Sequence, residues 1–352
     1  MGKGSKDGLT TDEIVKNAEK THPNIVTIGD YGSPHEKLPT GVFQLDLALL
    51  GGFPAGKVIT VYGMEASCKT TLALKTIGIA QKRDPSRRCV FIDVENSFDP
   101  EWAKKLGVDT DALVYVRPIT AEQAVDLTVA FCSAIDVSIV VLDSVGALVT
   151  QAEADDSAEK AEVGKRGILV GKLYRKTMYE QNLQEVEGRT PPTLILINQI
   201  RMKIGVMYGS PETLPGGMPF KFGSSLVLRL YGTGEMDKGV SKNVDAFRKI
   251  TCTIKKAKMQ LAAKAVEFHI ALLPHKGFSY GDSPDWNTVS AFAKNYGLLG
   301  KNDDGEWELM GVASKTLEPL RDHYYSDAEF GTEVRQAVLE RVAEDPAHDG
   351  AG

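Results

Sequence analysis

A lysine followed by two threonines, Lys69-Thr70-Thr71, stands six positions after Gly63, and the residues between are Met64, Glu65, Ala66, Ser67 and Cys68. An apolar run at residues 57–62 (KVITVY) precedes this segment, and a helix-forming run from 69 to about 82 follows it. A loop with this spacing between a strand and a helix turns backbone N–H groups and the helix N-terminus toward phosphate oxygens. Lys69 would reach the β- and γ-phosphates of ATP, and the Thr70 hydroxyl would ligate its Mg2+. Gly63, Glu65, Ala66, Ser67, Cys68, Lys69, Thr70 and Thr71 are therefore candidate nucleotide-binding residues. The strict pattern has glycine directly before the lysine, where this chain has Cys68. A β-carbon there costs on the order of 1 kcal/mol if the backbone needs a positive φ, and little if the residue is helical. A thiol at a helix N-terminus beside Lys69 is expected to have a lowered pKa, so that alkylation of Cys68 would block ATP binding and ATP would protect it. The plainer alternative is a strand–turn–helix junction that once bound nucleotide.

A second strand pattern ends in an acid: Ile139-Val-Val-Leu-Asp143. At this distance after a phosphate loop, Asp143 is a candidate to hold a Mg2+-bound water alongside the Thr70 hydroxyl. Its bland reading is a strand-end aspartate that caps the next turn. Residues 91–95 (FIDVE) close an intervening strand with two carboxylates, Asp93 and Glu95. Either could face the crevice at the strand ends and take a proton from an attacking water. Spacing alone leaves that choice open. A dinucleotide-binding oxidoreductase is excluded, because the first strand leads into a GxxxxCKT loop and not into GxGxxG.

Residues 89–94, 113–116, 137–142 and 193–197 read as further buried strands, with an amphipathic helix near 120–134. Short apolar runs alternating with helices predict a parallel sheet covered on both faces. Residues 224–232 and 248–256 read as antiparallel strands that extend it. Before the core, Thr10 and Glu13 have capping-box spacing for a helix over 11–21, Pro23 ends it, and 24–29 (NIVTIG) reads as a short strand. After about 272, aromatic and helical segments separated by Gly/Asp turns suggest a small α/β appendage. The last 28 residues carry seven acids and two arginines, a mildly acidic end. The expected organisation is an N-terminal helix and strand at 1–33, an α/β core at 34–271 and a C-terminal domain at 272–352.

With 42% hydrophobic and 25% charged residues the chain has a globular composition. No apolar run reaches the roughly 18 residues of a membrane span, and the N-terminus lacks the apolar stretch of a secretory signal. The four cysteines form no CxxC pair and the six histidines no spaced ligand set. A reduced, cytoplasmic protein is the expectation. The net charge of −6 excludes a globally basic surface, so any nucleic-acid site must be local.

Three stretches resemble the bacterial RecA recombinase family. The longest is Asn198-Gln-Ile-Arg-Met-Lys-Ile-Gly-Val-Met-Tyr-Gly-Ser-Pro-Glu-Thr-Leu-Pro-Gly-Gly217, which is similar to the family's second DNA-binding loop. The others are residues 91–109 (FIDVENSFDPEWAKKLGVD) and 142–148 (LDSVGAL). The likeness runs from about residue 40 to 270. It implies an α/β fold with a RecA-like P-loop ATPase core, a mostly parallel central sheet flanked by helices, an N-terminal helix–strand arm and a small α/β C-terminal domain. It implies that Glu95, with Lys69 and Gln199, is catalytic, that Asp99 and Trp102 contact the adenine, and that Gln199 senses the γ-phosphate. The family usually has tyrosine where this chain has Trp102. Lys256 and Lys258 match a pair that reaches a neighbouring subunit's ATP; unaided, they would read as a charged strand edge. Cys68 departs from bacterial members. Phage-encoded relatives also vary there, which makes a phage source an expectation.

The resemblance further implies a helical filament on single-stranded DNA, homologous pairing with double-stranded DNA, and ATP and Mg2+ as cofactors. Single-strand-binding or mediator proteins are candidate further partners, and a membrane is not. In residues 200–217, Arg201 and Lys203 could neutralise phosphates and Gly205, Gly216 and Gly217 could let backbone N–H groups approach them. Ile204, Val206, Met207 and Tyr208 could insert between bases, with Thr213 as a further contact. Residues 151–167 correspond to the family's first DNA loop but match poorly; Arg166 is the candidate contact there. The rival readings are a RecA-fold hexameric helicase or clock-type ATPase, and a DNA-binding filament with little or no hydrolysis.

Overall fold

The computed structural model describes residues 9–21, 36–155, 165–202, 212–213, 219–235 and 245–345. Helix α1 spans Thr11–Thr21 and carries the expected capping box: the Glu13 carboxylate accepts from the Thr10 N–H (2.8 Å), and the Thr10 hydroxyl accepts from the Glu13 N–H (3.3 Å). The strand expected at 24–29 lies outside the described residues.

The core is an eight-stranded sheet. In chain order its strands are β1 (Val58–Gly63), β2 (Arg88–Asp93), β3 (Leu113–Val116), β4 (Val137–Asp143), β5 (Thr193–Gln199), β6 (Leu226–Glu235), β7 (Phe247–Ala257) and β8 (Ala265–Ala271). They lie in the order β8-β7-β6-β1-β5-β4-β2-β3. The six strands from β6 to β3 are parallel, and β7 and β8 add antiparallel at one edge. The strand expected as antiparallel at 224–232 instead enters as β6, parallel to β1 and antiparallel only to β7, and β8 goes beyond the two strands expected from the sequence.

The buried apolar runs divide by parity. Ile59, Val61, Ile139, Val141, Ile195 and Ile197 pack on one face with Leu72, Leu74 and Ile77 of α3 (Lys69–Arg83). Val58, Val140, Leu142, Leu194 and Leu196 pack on the other with Ala124 and Val125 of α5 (Ala121–Ser133) and Val170 and Leu173 of α7 (Lys165–Val186). Each such side chain contributes about 1.5–3 kcal/mol by leaving water, which is why these strands carry no polar face. Thr60 in β1 is one of the few polar residues buried among them. It is fully buried and closes a hydroxyl triangle with Tyr174 (2.9 Å) and Ser224 (2.7 Å).

Residues 151–167, expected as a loop, are helical at both ends: α6 covers Gln151–Asp155 and α7 begins at Lys165. Short helices α2 (Phe43–Ala48), α4 (Pro100–Lys105) and α8 (Pro219–Gly223) complete the core. Beyond β8, helices α9 (Trp286–Asn295), α10 (Leu317–Ser326) and α11 (Ala328–Ala343) pack with a three-stranded antiparallel sheet around Trp286, Leu309, Tyr324 and Val338. Leu47 of α2 joins that cluster. Buried Asp285 holds this part together, accepting from Arg335 Nε (2.7 Å) and the Tyr324 hydroxyl (2.9 Å).

Asp46 in α2 is buried and accepts from the Thr40 N–H (2.8 Å) and hydroxyl (2.7 Å). Burial outweighs these bonds and pushes its pKa up to about 7. The folded state thus keeps a proton that the unfolded chain releases near the ordinary carboxylate value of about 4. Stability therefore falls as pH rises from about 4 to 7 and levels off above. Melting temperatures of Asp46→Asn should lack this decline, so the variant gains on the natural protein between pH 5 and 8; parallel curves would refute the assignment.

Candidate active site at the strand ends

The sheet register gathers the chemistry at one edge. Gly63 pairs with Gln199, and Asp93 with Asp143, so the carboxyl ends of β1, β5, β2 and β4 align there. Ligands bind outside such strand ends in open α/β sheets.

The loop from β1 into α3 lies tightly on its neighbours. A β-carbon on Gly63 would fall 2.1 Å from the Leu230 carbonyl oxygen, so only glycine fits. Ala66 (φ 57°) and Cys68 (φ 61°) both occupy the left-handed region. Position 68 is therefore the strained case and not the helical one, at a cost of about 1 kcal/mol or more for each residue. The Ser67 hydroxyl donates to the Met64 carbonyl (2.8 Å), and so does Lys69 Nζ (2.6 Å). Lys69 is buried, which lowers its pKa, while Asp143 and Glu95 act against that shift.

Thr70 Oγ1 donates to Asp143 Oδ2 (2.6 Å). Burial raises the Asp143 pKa to about 6; the Thr70 bond opposes this, and the nearby Glu95 and Asp93 charges add to it. A hydroxyl and a destabilised carboxylate in contact form the hard-oxygen donor pair that suits Mg2+, which usually takes one or two protein oxygens together with phosphate and water. Among the described residues no group of three or more His, Cys, Asp or Glu could act as a metal cage.

The two carboxylates that spacing alone left open, Asp93 and Glu95, occupy different surroundings. Asp93 Oδ2 accepts from the Phe98 N–H (2.9 Å) and the Tyr115 hydroxyl (3.0 Å), which fixes the turn after β2. Glu95 instead faces the strand ends, where Gln199 Nε2 donates to it (3.0 and 3.2 Å) and so does the Ser144 hydroxyl. The residue after Gln199 is tied to the loop, with the Ile200 N–H donating to the Gly63 carbonyl (3.2 Å). Two residues on, Arg201 and Met202 pair with Thr213 and Glu212. Lys203, Ile204, Gly205, Val206, Met207, Tyr208, Gly216 and Gly217 lie outside the described residues.

Asp99 caps α4, accepting from the Glu101 and Trp102 N–H groups (2.9 and 3.1 Å). Trp102 meets Tyr280 edge-on, with ring centroids 6.0 Å apart, and Lys105 Nζ lies 4.4 Å from the Tyr280 ring. Arg166 sits in the first turn of α7, where it donates to the Gly146 carbonyl (3.3 Å) and approaches Glu153 (3.6 Å). Lys256 and Lys258 are not brought to this edge. Lys256 pairs with Val227, which pairs with Thr60, about 10 Å before the end of β1 at ~3.3 Å per residue. Its Nζ donates to the Phe222 carbonyl (3.2 Å).

Sequence reasoning missed Ser144, Tyr280 and Arg248. Ser144 follows Asp143 directly and could have been found as the next residue on the strand end. Nothing in the local pattern marks the other two. Arg248 reaches the loop from β7, its Nη1 donating to the Ala66 carbonyl (2.9 Å).

The expectation of an acidic Cys68 thiol is overturned. Its side chain packs against the core, and burial drives the pKa up to about 11, against the lowering fields of Arg248 and Lys69. Iodoacetamide at pH 7.5 should therefore modify Cys68 at least about a hundredfold more slowly than free cysteine. Mass spectrometry of tryptic peptides would measure this, and labelling at the rate of free cysteine would refute the burial argument.

The RecA N-terminal domain family matches residues 10–279. The chain is 39% identical over 309 residues to Protein RecA of Aquifex aeolicus, covering 87% of this chain and 84% of that protein. It is 38% identical over 326 residues to that of an Arthrobacter species, covering 91% and 86%. Against Protein RecA of Aquifex pyrophilus the identity is 43% over 208 residues, 59% of this chain and 58% of that protein's length. The family model spans more than half of the chain, and relatives of 38–39% identity cover more than two thirds of it, so this chain belongs to the RecA family.

Proposed function

We propose that this protein is an ATP-dependent homologous recombinase that forms helical filaments on single-stranded DNA and exchanges strands with a homologous duplex. The observation that carries this reading is the contact of Glu95 with Gln199, because Gln199 leads within two residues into the paired segment of Arg201 and Thr213. Any group that changes the surroundings of Glu95 also acts on the root of the segment proposed to hold DNA.

ATP would lie between adjacent subunits. One subunit supplies the loop N–H groups and Lys69, with Thr70 and Asp143 as the residues that would hold Mg2+. Mg2+ held by these two residues would supply the positive charge that offsets the phosphates. Glu95 accepts a proton from the water that attacks the γ-phosphorus, and the bond to the ADP oxygen breaks as the new P–O bond forms. Asp93 is already engaged by Phe98 and Tyr115, which supports Glu95 as the base. Lys256 and Lys258 stand toward the opposite end of the sheet from their own loop, which supports a role toward a neighbour's triphosphate. Trp102 and Asp99 would take the adenine. Arg166, Arg201, Lys203, Thr213 and the loop glycines would contact DNA, with Ile204, Val206, Met207 and Tyr208 against its bases.

One observation favours a second reading. With Ala66 and Cys68 both left-handed, the loop is strained, and a filament with little hydrolysis is the alternative. Steady-state ATPase activity with and without single-stranded DNA separates the two.

Lys69→Ala should abolish ATP-dependent strand exchange; full exchange by this variant would sink the assignment of the loop. Glu95→Gln should keep ATP-induced filaments, seen by electron microscopy, and lose turnover by at least about a hundredfold. Arg201→Ala should weaken single-strand binding and reduce the magnitude of its log–log salt slope by about one; an unchanged slope would argue against a phosphate contact.

A further inference from the structure

Strands β6 and β7 run on past the end of β1. Leu230 pairs with Gly63, whereas Gly232 pairs with Ile250 and Gly234 with Arg248. The overhang lies along the phosphate loop. A β-carbon on Gly232 would come within 2.9 Å of the Ala66 carbonyl oxygen and 3.1 Å of Ser67 Cα, so the loop rests directly on this glycine. From the neighbouring strand, Arg248 Nη1 donates to that same Ala66 carbonyl (2.9 Å). The guanidinium is half-buried, its Nη2 lies 3.9 Å from Asp245, and its Nε is buried with no hydrogen-bond partner among the described residues. The hydrogen bond to the loop carbonyl (2.9 Å) is shorter than the approach to Asp245 (3.9 Å).

We infer that Arg248 is a positioning residue for the nucleotide: by fixing the Ala66 carbonyl it holds the strained phosphate loop in the form that grips phosphate. The inference rests on the reading of residues 63–71 as the ATP site and deepens it. Its physical basis is the planar trans peptide, in which the carbonyl of one residue and the N–H of the next point in opposite directions. Drawing the Ala66 carbonyl toward Arg248 turns the Ser67 N–H away from it. Backbone N–H groups of such a loop are its phosphate donors. The contact also opposes the tendency of Ala66 and Cys68 to leave the left-handed region. A loop that spends only part of its time in the gripping form binds more weakly by that fraction.

The test is a double-mutant comparison read by calorimetric titration with ADP and Mg2+. Arg248→Met should weaken ADP binding about tenfold in the natural protein but by no more than about threefold in a Cys68→Gly background, where the strain that the arginine opposes is reduced. ATPase assays should show the same split, with KM raised and kcat at saturating ATP changed less than about threefold. A loss of ADP affinity under about twofold, a loss as large or larger in the Cys68→Gly background, or a fall in kcat without a change in affinity would each overturn the inference. If Arg248→Met does not fold, judged by circular dichroism and melting, Arg248→Gln carries the same comparison. Lys69→Ala is the control: if it too leaves ADP binding unchanged, the reading of the loop as the nucleotide site fails, whereas loss with Lys69→Ala alone refutes only the role of Arg248.

Discussion

A carboxylate with almost no access to water sets the terms at the working edge of the sheet. Asp143 is 4% exposed, and Asp93 and Glu95 bring like charge toward it. Its ionised form is favoured by the Thr70 hydroxyl and the Lys69 ammonium, and burial outweighs both. A buried carboxylate in that state gains from any cation delivered beside it, because the cation removes the repulsion that desolvation leaves. The same constraint accounts for the neighbours. Thr70, in the first turn of α3, places its hydroxyl on Asp143, and Glu95 accepts from Gln199 and Ser144. Slippage of β4 or β5 by a single residue would turn these groups to the opposite face.

The parallel strands supply the rigidity that this arrangement needs. The central strands β1, β5, β4 and β2 are buried on both faces by interlocking apolar residues, which holds their ends in fixed relation. Gln199 closes β5, bonds Glu95, and is followed by a backbone bond from Ile200 to Gly63. In the proposed mechanism, a change at residues 63–69 would be felt first at residues 199–201 and not diffusely through the core. That is the physical content of the proposed coupling between nucleotide and DNA: one polar side chain and one backbone bond at the root of the second loop.

Much of this was legible from sequence because parallel strands and phosphate loops leave strong local patterns. The strands at residues 58–63, 88–93, 113–116 and 137–143 fell close to their expected bounds, and so did α1 and α5, whose capping boxes are local devices. The 22-residue α7 was not legible. Its inward stripe is half polar: Val170, Leu173 and Tyr174 are followed by Thr177, Gln181 and Gln184, which are buried because the two glutamines bond the Pro192 and Cys132 carbonyls. No hydrophobic period survives such a stripe. The Cys68 thiol failed for a related reason. The helix terminus and Lys69 are visible in sequence and favour a thiolate, while the core packing that outweighs them depends on the fold. Spacing could not choose between Glu95 and Asp93, and the family resemblance pointed to Glu95. The contacts of Asp93 with Phe98 and Tyr115 and of Glu95 with Gln199, which spacing does not encode, are consistent with that choice.

The charge balance of this edge bears on assembly. Four acids, Glu65, Asp93, Glu95 and Asp143, stand at or beside the phosphate loop, against Lys69 and the Arg248 that braces it. A triphosphate adds further negative charge to a region that already carries an excess, so positive charge must come with it. Part would come from the Mg2+ that Thr70 and Asp143 are suited to hold. Lys256 pairs toward the far end of β1 and bonds the Phe222 carbonyl, and the Lys258 N–H bonds the Ser225 carbonyl just before β6, so neither stands at its own loop. In the proposed filament they would meet a neighbour's triphosphate. Nucleotide affinity and subunit association would then be linked, each strengthening the other by the same factor, as reciprocity of binding free energies requires.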